Sequence, residues 1–295
     1  MQRKGRAAFI VAFLSPAVFI YALFVVWPLL QSFVLSFYRW RGVSQQKTFV
    51  GTENYRKLAA DDVFWQALKN NLFLLVGVGF LAIVLGVLIA HAMQGGGRLS
   101  KMLRGVYLFP QAISLVVVSI LWMFLYNPAF GLLTTGLKSV GLDRYNHAWL
   151  GEPKTALPAV AIAFLWYIAG FYIMLFAAGL RAIPEEVNEA AALEGATGMR
   201  KFWTITWPML WSIKRIAVVY VVINVMNVFA LVYLMTQGGP DRKTEVMLTY
   251  LYEQAFKNSQ FGYATALAVA NFVVAMGLSA FLMFIFRRDP QGARA

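Results

Sequence analysis

Charged residues along this chain fall in clusters, and between the clusters lie six long stretches with none: 7–38, 70–97, 105–137, 155–180, 216–240 and 258–286. The shortest holds 25 residues, and a helix needs about 20 to cross a hydrocarbon core of about 30 Å. One Arg or Asp at the centre of such a span would cost roughly 2.5–3.5 kcal/mol, so the absence of charge is what a bilayer demands. The pattern predicts an all-α integral membrane protein with about six transmembrane helices. Pro16 and Pro28 predict that the first span is kinked or tilted, which a membrane helix tolerates where neighbours satisfy the freed backbone groups. Arg3, Lys4 and Arg6 give it a basic start. The apolar run that follows is far longer than the h-region of a signal peptide, and no small-residue cleavage site closes it.

Composition agrees, with 60% of residues hydrophobic and 13% charged, against about 25% charged in a soluble domain. The net charge of +13 follows in part from topology. With the N-terminus inside, the inner segments 1–6, 98–104, 181–215 and 287–295 carry 14 Lys/Arg against five acids. The outer loops 39–69, 127–154 and 237–257 carry 12 against eight. The inner segments are shorter in total, so their basic density is higher, which predicts both termini in the cytoplasm. No nucleic-acid-binding motif accompanies the charge, so that class of partner is set aside. The chain has no cysteine and only His91 and His147, which excludes a disulfide framework and cysteine or paired-histidine metal sites.

The first inner loop opens with Gly95, Gly96 and Gly97, read as a turn running through Lys101; no Lys-Ser/Thr pair follows to make a phosphate cradle. The second, 181–215, is the longest inner piece. Pro184 followed by Glu185 and Glu186 reads as a helix start, because proline suits the first helical position and acids favour the positive end of the dipole. Ala190, Ala191 and Ala192 propagate the helix, and Gly195 and Gly198 allow a reversal before a second short helical piece near 199–204 that leads to Pro208.

Glu189-Ala190-Ala191, three residues, Gly195, nine residues, Ile205, one residue, then Trp207-Pro208 resembles the EAA loop of binding-protein-dependent ABC importer permeases, with Trp207 where that pattern has leucine. The resemblance extends along nearly the whole chain to the sugar-permease branch of the maltose, lactose and glycerol-3-phosphate systems. It is carried by 49–55 (Phe-Val-Gly-Thr-Glu-Asn-Tyr), by 64–70 (Phe-Trp-Gln-Ala-Leu-Lys-Asn), by 235–240 (Met-Thr-Gln-Gly-Gly-Pro) and by 261–266 (Phe-Gly-Tyr-Ala-Thr-Ala).

The resemblance implies the type I importer fold with a cytoplasmic coupling helix, in which Glu189, Ala190, Ala191 and Gly195 contact a separate ATPase. It implies a non-catalytic chain in a bacterial-type inner membrane, with ATP and magnesium bound by partner subunits rather than by this chain. The implied partners are a second, related permease, two cytoplasmic ATPase subunits and an extracytoplasmic sugar-binding protein. The cargo is a sugar or oligosaccharide; glycerol-3-phosphate or a polyol is the alternative within the family. The organisation follows: 1–65 holds the tail, first span and first outer loop, 66–286 the five-helix permease core, and 287–295 a cytoplasmic tail.

Independently of family, the six spans contain no acid for a proton relay and the chain has no Walker A motif. Uphill transport therefore needs another subunit, or the protein is a partner-independent carrier. Among residues able to hydrogen-bond or stack on a sugar, Trp166, Tyr167 and Tyr172 lie in the fourth stretch, Tyr220, Asn224 and Asn227 in the fifth, and Asn271 in the sixth. Helical spacing puts Tyr220, Asn224 and Asn227 on one face, with the asparagines expected near mid-span, where with Trp166 and Asn271 they would line a midplane cavity. The competing role is hydrogen bonding between helices for the asparagines, and interfacial belts for the aromatics.

Overall fold

The structure is a computed structural model that describes residues 2–43, 46–94 and 97–287. Gly95, Gly96 and nearly all of the 287–295 tail therefore lie outside the described residues. Two compact units emerge, one of residues 1–61 with 251–272 and the other of 62–250 with 273–295.

The first unit begins with α1 (Gln2–Tyr21) and α2 (Trp27–Leu35), joined by a π-helical turn, Ala22–Val26. Phe9–Leu35 is a single apolar run of 27 residues, none of it buried within the chain. The π turn sits directly ahead of Pro28, whose ring cannot accept the normal i−4 ladder. The expected disturbance is thus a local widening of the helix. Past the span, the chain folds back as β1 (Tyr38–Arg39) and β2 (Thr48–Phe49), paired antiparallel, and then enters α3 (Glu53–Ala59). Asn54 pins the end of the span by donating to the carbonyls of Ser36 (2.7 Å) and Tyr38 (3.0 Å), and the Tyr55 hydroxyl meets Ser36 Oγ at 2.7 Å.

The second unit is built on α4 (Asp62–Ala92) and α8 (Ala156–Arg181), which pack along most of their lengths. Both carry a stripe of small residues, Val78, Gly79, Ala82, Gly86 and Ala90 on one and Ala156, Ala159, Ala163, Gly170 and Gly179 on the other. In a bilayer this is what lets helices approach, since lipid is as apolar as leucine and close packing must supply the attraction. A Cβ at Gly86 would lie 3.0 Å from Cβ of Tyr172 and 3.1 Å from its carbonyl carbon. Between them run α5 (Gly97–Ala112), α6 (Leu115–Leu125) and α7 (Leu132–Ser139). Gly97–Lys101 belongs to α5 and not to the expected turn, because Arg98–Lys101 contains no helix breaker.

Among the described residues, four helices are long and apolar enough to cross a membrane, and a fifth crossing results if a bent pair counts as one span. The third and fifth uncharged stretches are the broken ones. The third divides at 113–114, where Ser114 turns extended and caps α6. The fifth continues α9 (Glu185–Leu193), α10 (Gly198–Lys201), a π turn Phe202–Thr206 and α11 (Trp207–Met209), then bends by 70° into α12 (Trp211–Met226). It does not run on helically to 240 as expected. The Val225 carbonyl, which residue 229 would use to extend α12, accepts instead from Asn71 of α4 at 2.8 Å, and the chain restarts as α13 (Ala230–Met235).

Asn71 also accepts from the backbone of Met247 (2.9 Å), the first residue of α14 (Met247–Tyr252). Its neighbour Asn70 donates to the carbonyls of Lys243 (3.0 Å) and Glu245 (2.7 Å). Two adjacent asparagines thus fasten the 236–246 loop to α4. The last helix, α15 (Phe261–Ile285), contributes its first half to one unit and its second half to the other.

Replacing Asn71 by Leu would leave the buried Met247 amide unserved and the Val225 carbonyl with only the Val228 amide, at 3.2 Å, as its partner. The expected loss is about 2–4 kcal/mol, read as a fall in detergent-solubilised melting temperature, while Asn224→Ala stays within about 0.5 kcal/mol of wild type.

Candidate functional site

The 181–215 loop takes the helix–reversal–helix form. Pro184 caps α9 in extended conformation (φ −58°, ψ 145°), with Glu185 and Glu186 in the first turn. Gly195 (φ +71°) and Gly198 (φ +53°) occupy the left-handed region that only glycine enters without strain. The four positions that the family resemblance singles out separate by burial. Ala191 is buried and its carbonyl accepts from the Ala196 amide at 2.8 Å. Glu189, Ala190 and Gly195 are exposed. No atom lies within 4 Å of where a Gly195 Cβ would be.

The loop also presents apolar residues that spacing alone did not reveal. Leu193 is 91% exposed, Met199 70% and Trp203 58%. Their signal was present as single large hydrophobics amid small and charged neighbours, but only the fold sets them on the outside. Behind the loop lies a polar cavity of about 270 Å³ lined in part by His91, Asn188, Lys201 and Thr206, with the His91 ring edge-on to Phe202 at 5.3 Å.

The loop joins the membrane helix at the 70° bend, and Lys214 holds that bend. Its Nζ donates to the Trp207 carbonyl at 2.8 Å, one of those left open where α11 ends. The ammonium lies 4.2 Å from the Trp207 ring centroid and 4.9 Å from that of Trp211, both within cation–π range. Trp211 Nε1 in turn donates to the Phe286 carbonyl at 3.1 Å. One buried lysine therefore links the loop to the base of α12, and Trp211 links that base to the end of α15.

The residues considered for a substrate path fall into separate groups. Tyr220 lines an apolar groove of about 470 Å³ along α12, beside Arg215, Val219 and Ile223. Its ring stacks on Phe171 at 4.2 Å and lies 6.4 Å from that of the buried Tyr172. Trp166 instead sits edge-on to Trp122 at 5.9 Å, and Tyr167 offers its carbonyl to Gln111 Nε2 at 3.2 Å. Asn224 and Asn227 are not at mid-span but in the last turn and at the C-cap of α12. They donate to their own helix, at the carbonyls of Tyr220 and Ile223, both at 2.8 Å, and make neither bond between helices. Asn271 is buried in the first unit's part of α15. Among the described residues, no group of three or more His, Cys, Asp or Glu could hold a metal ion.

Lys214→Met keeps the length of the side chain but abandons the Trp207 carbonyl. The expected loss is about 1–3 kcal/mol of stability, measured by thermal unfolding, accompanied by faster amide exchange across 207–214 than elsewhere in the chain.

Residues 82–288 match the family model for the binding-protein-dependent transport system inner membrane component. A probable ABC transporter permease protein of Bacillus subtilis, YurN, is 37% identical over 95% of this chain and 96% of its own length. The diacetylchitobiose uptake system permease protein NgcF of Streptomyces coelicolor is 34% identical over 97% and 84% respectively. A chain of a bacterial ABC transporter involved in the import of the acidic polysaccharide alginate superposes with a TM-score of 0.83 across 97% of both chains at 24% identity, which establishes the shared fold. The bent helix pair, the exposed loop with its glycine reversals and these matches converge: the chain belongs to the family of inner membrane components of binding-protein-dependent transport systems, as a multi-pass ABC importer permease.

Proposed function

We propose that this permease forms half of a translocation path for a sugar or oligosaccharide, driven by ATP hydrolysis in separate cytoplasmic subunits. The observation that carries the reading is the α9 loop: it is anchored through Ala191 but leaves Glu189, Ala190, Leu193 and Gly195 uncovered. One exposed leucine would need no explanation, but Leu193, Met199 and Trp203 are all exposed on this one short loop, as on a docking surface. Ala190 and Gly195 keep the surface low enough for a partner's groove to close over it, and Leu193, Met199 and Trp203 supply apolar anchors.

The mechanism follows from the bend. A partner that moves α9 on closing around ATP moves α10, α11 and the intervening π turn with it. Lys214 and the two tryptophans hold α11 to α12, so the displacement reaches the α12 face that carries Tyr220. ATP and magnesium belong to that partner. In this reading residues 66–286 are the transport core, 1–65 an added span with its outer loop, and both termini face the cytoplasm. A related second permease completes the path, and an extracytoplasmic binding protein delivers the cargo to the outer loops. The carbohydrate class rests on the chain's similarity to the diacetylchitobiose uptake permease and the alginate importer, together with the aromatic rings of Trp166, Tyr167 and Tyr220. Asn224, Asn227 and Asn271 are retained as path residues that would gain a substrate partner when helices rearrange.

The test is affinity purification of the tagged chain from its own membranes. Wild type should bring down an ATPase and a second permease. In Gly195→Leu the new Cβ meets no atom within 4 Å and the left-handed backbone costs roughly 1–2 kcal/mol; the variant should keep the second permease and lose the ATPase. A wild-type chain that purifies alone and still moves sugar in vesicles would make it a carrier. Tyr220→Ala should leave the assembly intact and reduce uptake at least tenfold; unchanged uptake kinetics would remove the α12 face from the path.

A further inference from the structure

The first unit contains a second polar cavity, of about 430 Å³, which the transport mechanism does not use. Its wall is the segment just past the first span. The Gly262 amide donates to the Trp40 carbonyl at 3.1 Å, and a Cβ at Gly262 would lie 1.9 Å from the Tyr38 carbonyl oxygen, so 38–40 rests directly on the first turn of α15. Asn54 holds the same segment from the other side.

The cavity is basic. Arg39, Arg41 and Lys57 line it, against one acid, Glu53. Glu53 is engaged by Arg39. The Lys57 ammonium has only neutral company, donating to Gln260 Oε1 at 2.7 Å and lying 4.3 Å from the Tyr263 ring centroid. Tyr263, which also lines the cavity, donates its hydroxyl to the Asp61 carboxylate. The charges of Arg41 and Lys57 therefore meet no carboxylate among the described residues.

Depth decides what would neutralise them. Arg39–Arg41 follow the apolar run Phe9–Leu35 by only four to six residues, and Tyr263 lies in the first turn of α15. The headgroup layer is roughly 5–8 Å thick on each side of the hydrocarbon, and Tyr38, Trp40, Tyr55 and Tyr263 mark that layer as interfacial aromatics do. The cavity is thus level with lipid phosphates, and α2, with Leu30 and Val34 exposed, offers an apolar flank along which acyl chains can lie.

We propose that this cavity binds the phosphodiester headgroup of an anionic phospholipid, with Arg41 and Lys57 as its cationic contacts and Ser259 and Asn258 as neutral donors at the rim. A zwitterionic headgroup brings its own cation into a basic cavity and is disfavoured. The site holds whatever the transporter carries.

Native mass spectrometry of the chain, purified with its copurifying proteins and exchanged into nanodiscs of phosphatidylcholine with or without phosphatidylglycerol, tests it. Wild type should retain one more phosphatidylglycerol than Arg41→Gln/Lys57→Gln, and its affinity for that lipid should fall roughly fivefold per charge removed. Arg41→Lys should restore it. Arg41 is exposed, so Arg41→Gln alone carries the comparison if the double variant fails to fold. Equal phosphatidylglycerol retention by wild type and variant overturns the proposal, as does equal retention of phosphatidylcholine. A wild type that binds inorganic phosphate alone as tightly as the lipid makes this a soluble-anion site. Variants that keep the lipid but lose a copurifying protein make it a docking point for an acidic side chain.

Discussion

The larger unit depends on α4 being able to lie against α8 at nearly backbone distance. Lipid gives no hydrophobic reward for helix association, so the attraction comes from dispersion over close contacts and from a few hydrogen bonds. Gly86, with Ala82 and Ala90 on the same helix, makes that approach possible, Tyr172 and Phe176 of α8 fill the hollow left at Gly86, and Gly79 admits Val221 of α12. The same helix then uses its polar end for a different purpose. Asn70 and Asn71 are buried, and apart from the Gln66 amide on Asn70 their side-chain bonds go to backbone at the end of α12, in the following loop or at the start of α14. A single element sets the spacing of the membrane helices and ends the fifth of them.

The breaks are as purposeful as the helices. Irregular backbone is tolerated at membrane depth only where its polar groups find partners, and each break here has them. The end of α12 is served by Asn71, the start of α6 by Ser114, and the end of α11 by Lys214. Prolines mark two further irregularities, with a π turn directly ahead of Pro28 and another directly ahead of Pro208. The second lies between the exposed loop and the membrane helix, so the connection between them is irregular backbone. Lys214 offsets this by fixing the angle at which that segment meets α12.

The residues that could meet a substrate show where reading along the chain stops. Tyr220 lines an apolar groove along α12. Asn224 and Asn227 share its face of the helix but stand at the end, because α12 begins at Trp211 and stops at Met226 rather than continuing through the uncharged stretch. Absence of charge reports which residues can enter a bilayer. It does not report where a helix is cut, since the cut is made by an asparagine more than 150 residues earlier.

What the sequence determined by itself is what local chemistry determines. Uncharged runs of the right length dictate membrane helices, Pro-Glu-Glu before a run of alanines dictates α9, and glycines at 195 and 198 dictate its reversal, because each of these is a property of a few neighbouring residues. The same holds for the family resemblance, which is carried by short motifs such as 49–55 and 235–240. Tertiary structure alone decided that Ala191 turns inward while Leu193 is left uncovered, that Trp166 sits edge-on to Trp122 while Tyr220 packs on Phe171, and that Lys214 is buried beside two indoles. It also decided that Arg41 and Lys57, sixteen residues apart, share a cavity with residues some two hundred positions away. These are long-range choices made by packing, and in a chain so uniformly apolar no hydrophobic pattern along the sequence distinguishes the face that meets protein from the face that meets lipid.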